Sequence, residues 1–262
     1  MPPRQGSPSI TPSKRSVREP GYGDAVTDRQ PSNARPHHAS DHPSLLVFDV
    51  NETLSDMSPM ADRFAEVGAP APLARSWFAG VLRDGFALTS IGVNERFATI
   101  AQESLRVLLD GEALDRSTGD AVQHVMEGFT GLSVHPDVAD GIRTLADAGV
   151  RMVTLGNGSA SLAEGLLDRA GVRDHFEALL SVEDAPLWKP AAAAYTHALQ
   201  RCAVDAADAM LVAVHPWDID GASRAGMRTA WINRDHAPYP TYFTSPDLNV
   251  ASVIALSAAV TG

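Results

Sequence analysis

The sequence predicts an α/β protein built on a doubly wound parallel sheet. Three observations carry that reading: short unbroken apolar runs recur along the chain, helical patterns alternate with them, and residues 57–132 carry helical patterns alone.

A strand of a parallel sheet is covered on both faces, so it reads as a continuous apolar run and not as an alternation. Ser44-Leu-Leu-Val-Phe-Asp49 is the first such run; Arg151–Leu155, Ala209–Val214 and Arg228–Ile232 follow, with a weaker one at Ala178–Val182. Between them lie helical patterns over 137–148, 159–170, 191–202 and 219–225, several closed by Gly149, Gly171 or Gly226. Strands that alternate with helices in this way build a Rossmann-like core.

Residues 57–132 break the rhythm with patterns around 72–83, 94–109 and 120–129 and no strand between them. They are predicted to form a helical cap domain inserted after the first strand, leaving 44–56 and 133–262 as the core domain. Ligands of open α/β sheets bind beyond the carboxyl ends of the strands, so an insert leaving that end is placed to act as a lid. Residues 1–43 are rich in Pro, Ser and Arg and almost devoid of aliphatic side chains, and are predicted to be a disordered tail.

With 262 residues and 44% hydrophobic content, the chain can bury a sizeable core. Its net charge of -11, with no basic stripe, argues against nucleic acid as a partner. No apolar run is long enough to span a membrane, and the N-terminus lacks an apolar signal segment. A single cysteine, Cys202, excludes an internal disulfide, reads as a buried thiol in its Ala-rich setting, and fits a reducing compartment. The expected setting is the cytoplasm, with a small molecule as substrate; a homodimer is left open.

The chemistry lies just after the strands. The first ends Asp49-Val-Asn51-Glu-Thr53, the second Leu-Gly156-Asn157-Gly158-Ser159, the weak third leads to Trp-Lys189-Pro190, and the fourth to His215-Pro-Trp-Asp218-Ile-Asp220. Taken singly, Asp49 reads as a strand-end carboxylate capping a turn and Lys189 as a solvated charge. Together at the tips of parallel strands they read as a site: an aspartate becomes a nucleophile when it is ionised and aimed, which a lysine and a hydroxyl beside it achieve.

These four motifs, in this order over residues 45–235, resemble the haloacid dehalogenase superfamily, and most closely its 2-haloacid dehalogenases. The resemblance implies that Asp49 is the nucleophile, that Thr53 steadies it, that Lys189 in a Lys-Pro pair followed by Tyr195 holds it ionised, that Asn157 lies beside the reacting carboxylate and leaving halide, and that Asp218 lies by the hydrolytic water. His215 divides evenly between a structural hydrogen-bonder and a partner of Asp218 in holding that water. Asp220 reads as a helix cap.

Phosphatases of the superfamily place aspartates where this chain has Asn51 and Ala213, and magnesium depends on such oxygen ligands. Displacement of halide from carbon requires neither a metal nor a protonated leaving group. The expected function is therefore hydrolytic dehalogenation of a short 2-haloalkanoic acid through an ester on Asp49, with no cofactor and no metal. The alternatives are a magnesium-dependent phosphatase and a non-catalytic member of the superfamily.

The chain also departs from the dehalogenase pattern. Asn51 replaces a tyrosine, His215 an asparagine, Ala213 and Gly156 serines, and Phe78 follows the lid residue Trp77 where an arginine is usual, so that Arg83 is the nearest substitute. Asn51, Phe78, Arg83, Gly156, Gly158, Ser159 and His215 are the expected substrate contacts, with backbone amides of 156–159 meeting a carboxylate. Trp77 and Trp217 are expected as core or pocket wall, and Met57, Met60 and Phe86 as core.

Overall fold

The computed structural model describes residues 42–262. Strand β1 (Leu45–Phe48) is followed by four helices, α1 (Met60–Ala65), α2 (Leu73–Ser90), α3 (Phe97–Leu109) and α4 (Thr118–Thr130). The chain then alternates: α5 (Val138–Asp147), β2 (Arg151–Gly156), α6 (Ala160–Arg169), β3 (Ala178–Ser181), α7 (Ala192–Cys202), β4 (Ala209–Ala213), α8 (Pro216–Arg224) and β5 (Arg228–Ile232), closing with β6 (Leu248–Val250) and α9 (Val253–Thr261).

All six strands are parallel, in the order β3-β2-β1-β4-β5-β6. The predicted doubly wound sheet is thus present, and its strand order reverses beside β1, where a crevice opens at the carboxyl ends. Every residue of β1 is buried, and its pleat divides the interior in two. Leu45 and Val47 face a layer shared with α7, α8 and the helices after β1, whereas Leu46 and Phe48 face one formed by α5, α6 and α9. Each such side chain contributes about 1.5–3 kcal/mol by leaving water, so a one-residue slip of β1 would exchange the two cores and is strongly opposed.

The structure revises several predicted boundaries. Helix α2 runs on to Ser90, and α1, β6 and α9 join the predicted elements. β6 leaves no apolar run in the sequence because it is a three-residue edge strand with an exposed asparagine at its centre, and an edge needs no continuous apolar run. Helix α8 begins at Pro216, not at Ile219, because proline suits a first helical position, having its φ preset and no N–H to satisfy. Asp220 therefore lies inside α8 and caps nothing. Its carboxylate is held down to about 2 by Arg224, with the hydroxyl and amide of Thr244 adding to the effect.

Of the predicted core residues, Met60 is buried while Met57 and Phe86 are only partly so, and Cys202 is half-exposed at the end of α7. Among the described residues no helix is long and apolar enough to cross a membrane. The predicted tail, His42 and Pro43 apart, lies outside the described residues.

Candidate active site

Asp49 follows β1 directly, its amide still bonded to Val212 O of β4. The chain then turns back on itself, with Leu54 and Ser55 both donating to Val50 O. This turn returns Thr53 to the tip of β1, where its hydroxyl donates to Asp49 Oδ2 at 2.7 Å and accepts from Val214 N at 3.0 Å. Glu52, at the apex, takes a left-handed conformation with φ of 61°, an uncommon one for a residue with a side chain.

Lys189 lies on the loop between β3 and α7, wholly buried. Its Nζ meets Asp49 Oδ1 at 2.9 Å and Asp218 Oδ2 at 2.6 Å. Asn157, at the tip of β2, grips the lysine main chain from both sides, donating to Lys189 O and accepting from Lys189 N. Asp218, in the first turn of α8, is equally buried; its other oxygen accepts from Tyr195 at 2.6 Å. Tyr195 reaches it only because residue 221 is glycine: a Cβ there would stand 2.6 Å from the tyrosine oxygen and 2.7 Å from Pro190 Cβ.

His215 closes the cluster on its more open side. Nδ1 lies 3.2 Å from Asp49 Oδ2 and Nε2 2.7 Å from Glu52 Oε2, and the ring stacks on Trp217 at 5.0 Å. Trp217 in turn meets Phe86 of α2 edge-on and lies beside Lys189 Nζ, 6.0 Å from its ring centre.

Charge balance explains the electrostatics. Burial would raise Asp49, but Lys189 and His215 outweigh it and hold the carboxyl well below the usual range, ionised at neutral pH. Burial would lower Lys189, but Asp218 and Asp49 raise it, so it stays an ammonium. Burial would likewise lower His215, yet its bonds to Asp49 and Glu52 raise it to about 9. Burial pushes Asp218 up, and the nearby negative charge of Asp49 adds to this. The buried Asp49 and Asp218 thus face Lys189 and His215, which balance them, while the more exposed Glu52 adds a third carboxylate at the solvent side of His215.

Beside the cluster run two narrow crevices. One is lined by Val50, Asn51, Gly156, Gly158, Ser159 and neighbouring apolar side chains; the other, also bordered by Asn51, reaches Phe129 of α4. Asp49 lines neither. The Ser159 hydroxyl caps α6 by accepting from Leu162 N. Among the described residues, no three His, Cys, Asp or Glu side chains are grouped to hold a metal ion.

The fold therefore brings Asp49, Thr53, Asn157, Lys189, Asp218 and His215 together, with Asn51, Gly156, Gly158 and Ser159 alongside. It does not bring in two expected substrate contacts. Arg83 is 74% exposed and pairs with Asp84, and Phe78 is buried against Phe97 among the helices after β1. Sequence reasoning passed over Glu52 and Tyr195 as functional residues. Glu52 looks like any charged turn residue, whereas Tyr195 had a signal in its place six residues after Lys189.

Comparison with known proteins identifies the family. A family model for haloacid dehalogenase-like hydrolases matches residues 43–226. The chain is 28% identical over 218 residues to an (S)-2-haloacid dehalogenase of Pseudomonas sp. (strain YL), covering 80% of this chain and 91% of that one. It is 26% identical over 213 residues to haloacetate dehalogenase H-2 of Moraxella sp. (strain B), covering 80% and 95%. A solved dehalogenase with an intermediate complex superposes with a TM-score of 0.79 at 26% identity, covering 85% of this chain and 99% of that one. The chain belongs to the haloacid dehalogenase-like hydrolases.

Proposed function

We propose that the chain hydrolyses a short 2-haloalkanoic acid to the 2-hydroxy acid through an ester on Asp49. The observation that carries this reading is the Asp49 carboxylate, ionised and gripped on one oxygen by Lys189 and on the other by Thr53 and His215. The relatives named as dehalogenases of haloacids support the choice of substrate.

In the first step an Asp49 oxygen forms a bond to the α-carbon as the carbon–halogen bond breaks and halide leaves with the electron pair. Water then adds to the aspartyl carbonyl, the bond from that carbon to the ester oxygen breaks, and the hydroxy acid departs. Lys189 holds the nucleophile ionised and aimed; Asp218, fixed by Tyr195, holds Lys189; Asn157 fixes the lysine main chain. The substrate carboxylate is assigned to Asn51 and to the backbone amides of Gly156, Gly158 and Ser159 at the start of α6. Residues 57–132 are taken as the cap. Trp188 supports this, since its indole donates to Glu95 O and so ties the lysine loop to the segment between α2 and α3. A cytoplasmic setting is supported by the single cysteine.

Phosphoryl transfer fits these residues poorly. Asn51 and Ala213 stand where the phosphatase pattern has carboxylates, and Asp218 has both oxygens bonded to Lys189 and Tyr195. Halide release from 2-chloropropionate in EDTA, run beside a phosphoester with added magnesium, tests the reading. Turnover in EDTA is expected; phosphate release that depends on magnesium, without halide release, would overturn it.

A further inference from the structure

His215 is held at both nitrogens, by the nucleophile on one side and on the other by a carboxylate, Glu52, that the reaction as written does not use. We propose that Glu52 and His215 form a base that esterification of Asp49 switches on, and that this pair takes the proton from the water that hydrolyses the ester. The proposal rests on the dehalogenase reading and concerns its second half.

The geometry supplies the parts. Nε2 at 2.7 Å from Glu52 Oε2 leaves that nitrogen as an N–H donor to the carboxylate, which fixes both tautomer and ring plane. Nδ1 then faces Asp49 Oδ2 at 3.2 Å, beside the carbonyl that water must attack. Stacking on Trp217 holds the ring in place. Asp218 is poorly placed to act as that base, because it is fully buried, both its oxygens are bonded, and Lys189 lies between it and Asp49. The His215 side chain is 12% exposed and that of Glu52 42%, so the pair has a path to solvent.

The switch follows from charge. In the free enzyme the two carboxylates that flank His215 favour a proton on each ring nitrogen, and a protonated Nδ1 cannot act as a base. Forming the ester removes the negative charge of Asp49, one of the two that hold that proton. An opposite charge in direct contact changes proton affinity by roughly 10- to 1000-fold, so the imidazolium then releases its Nδ1 proton to solvent. Neutral His215 next takes a proton from water as the water oxygen bonds to the aspartyl carbonyl carbon. The tetrahedral adduct expels the ester oxygen, which leaves with the proton of the added hydroxyl as the hydroxy acid. Asp49 is again a carboxylate beside an imidazolium, and the net products are hydroxy acid, halide and one proton.

Other charged groups surround the pair. Lys189 holds the far oxygen of Asp49, with Asp218 behind it. His135 Nε2 meets Glu52 O at 3.0 Å, and Arg234, paired with Asp137, donates to Thr53 O. None of these replaces the contact with Asp49, which alone changes charge during turnover.

A single turnover of 2-chloropropionate with enzyme in excess tests the switch, following halide, hydroxy acid and the intact protein mass for wild type, His215→Asn and Glu52→Gln over a range of pH. Wild type should hydrolyse its ester faster as pH rises, up to a plateau. His215→Asn should release halide stoichiometrically, accumulate the ester adduct and hydrolyse it about 10²–10⁴-fold more slowly, without that pH dependence. Glu52→Gln should hydrolyse the ester more slowly with its pH midpoint moved down, a change that a merely structural role would not produce. Normal ester hydrolysis in both variants would overturn the proposal, as would loss of halide release without an adduct in either. Absence of halide release by the wild-type protein from any 2-haloacid would overturn the dehalogenase reading itself, and the switch with it.

Discussion

Replacing Lys189 by methionine removes the ammonium between two buried carboxylates and leaves a side chain of similar length in its place. Asp49 and Asp218 then share a dry site without the cation that both contact, at 2.9 and 2.6 Å. Removing one partner of a buried ion pair costs about 3–5 kcal/mol, because the remaining charge is uncompensated. At roughly 2–4 °C per kcal/mol for a domain of this size, the midpoint of thermal unfolding should fall by about 6–20 °C near neutral pH. The loss should shrink on acidification. In wild type, Asp49 is depressed, so its contribution is complete above the unfolded value of about 3.9 and is lost as pH falls through the lower folded value. In the variant the two carboxylates repel, the folded state raises them, and stability returns as pH falls through the raised value. Urea unfolding at about pH 7.5 and 5.5 reads both effects, and halide release should fall at least about 100-fold. Adding Asp218→Asn should recover part of the stability without recovering turnover, since one carboxylate then remains. A variant within about 0.5 kcal/mol of wild type near neutral pH, or one with near-normal halide release, would refute the reasoning.

Gly221→Ala should lose about 1–3 kcal/mol by urea unfolding, because its Cβ would press on the Tyr195 oxygen and Pro190; combining it with Tyr195→Phe should cost less than the sum of the two. On α2, Gly85→Ala should lower the unfolding midpoint and halide release together, since its Cβ would fall 2.3 Å from the Trp188 ring next to Lys189. Gly80→Ala, with only the tip of Arg83 at 4.0 Å, should be neutral or raise the midpoint through better helix propensity. A single turnover in oxygen-18 water should place the heavy atom in Asp49 and leave the hydroxy acid unlabelled with inverted configuration; label in that first product would mean direct attack by water.

The architecture was legible because it follows from local chemistry. Leu45–Phe48 reads as a strand buried on both faces because its apolar run is too short for a helix and is bounded by Ser44 and Asp49. A long helical stretch after it had to be an insert, because it contains no run able to join the sheet. The order of the strand-tip residues then placed Asp49, Asn157, Lys189 and Asp218 at one end of the sheet. Helix α8 starts one turn before its apolar pattern does, because His215-Pro216 has the composition of a loop while proline there opens the helix.

What the tertiary structure alone decided is which partner each side chain finds. The sequence can put an acid, an amide and a lysine at the ends of parallel strands, because a helix between successive strands makes them run the same way and brings their carboxyl ends to one edge. The sequence cannot say that Asn157 holds the main chain of Lys189, that Asp218 is shut between Lys189 and Tyr195, or that Arg83 faces solvent and pairs with Asp84. Those outcomes depend on how α2, α7 and α8 pack, and on single glycines that permit close approach. Glu52 is the clearest case. In sequence it is one charged residue in a turn; in space a left-handed backbone at its own position and a histidine 163 residues away make it half of a pair on the nucleophile.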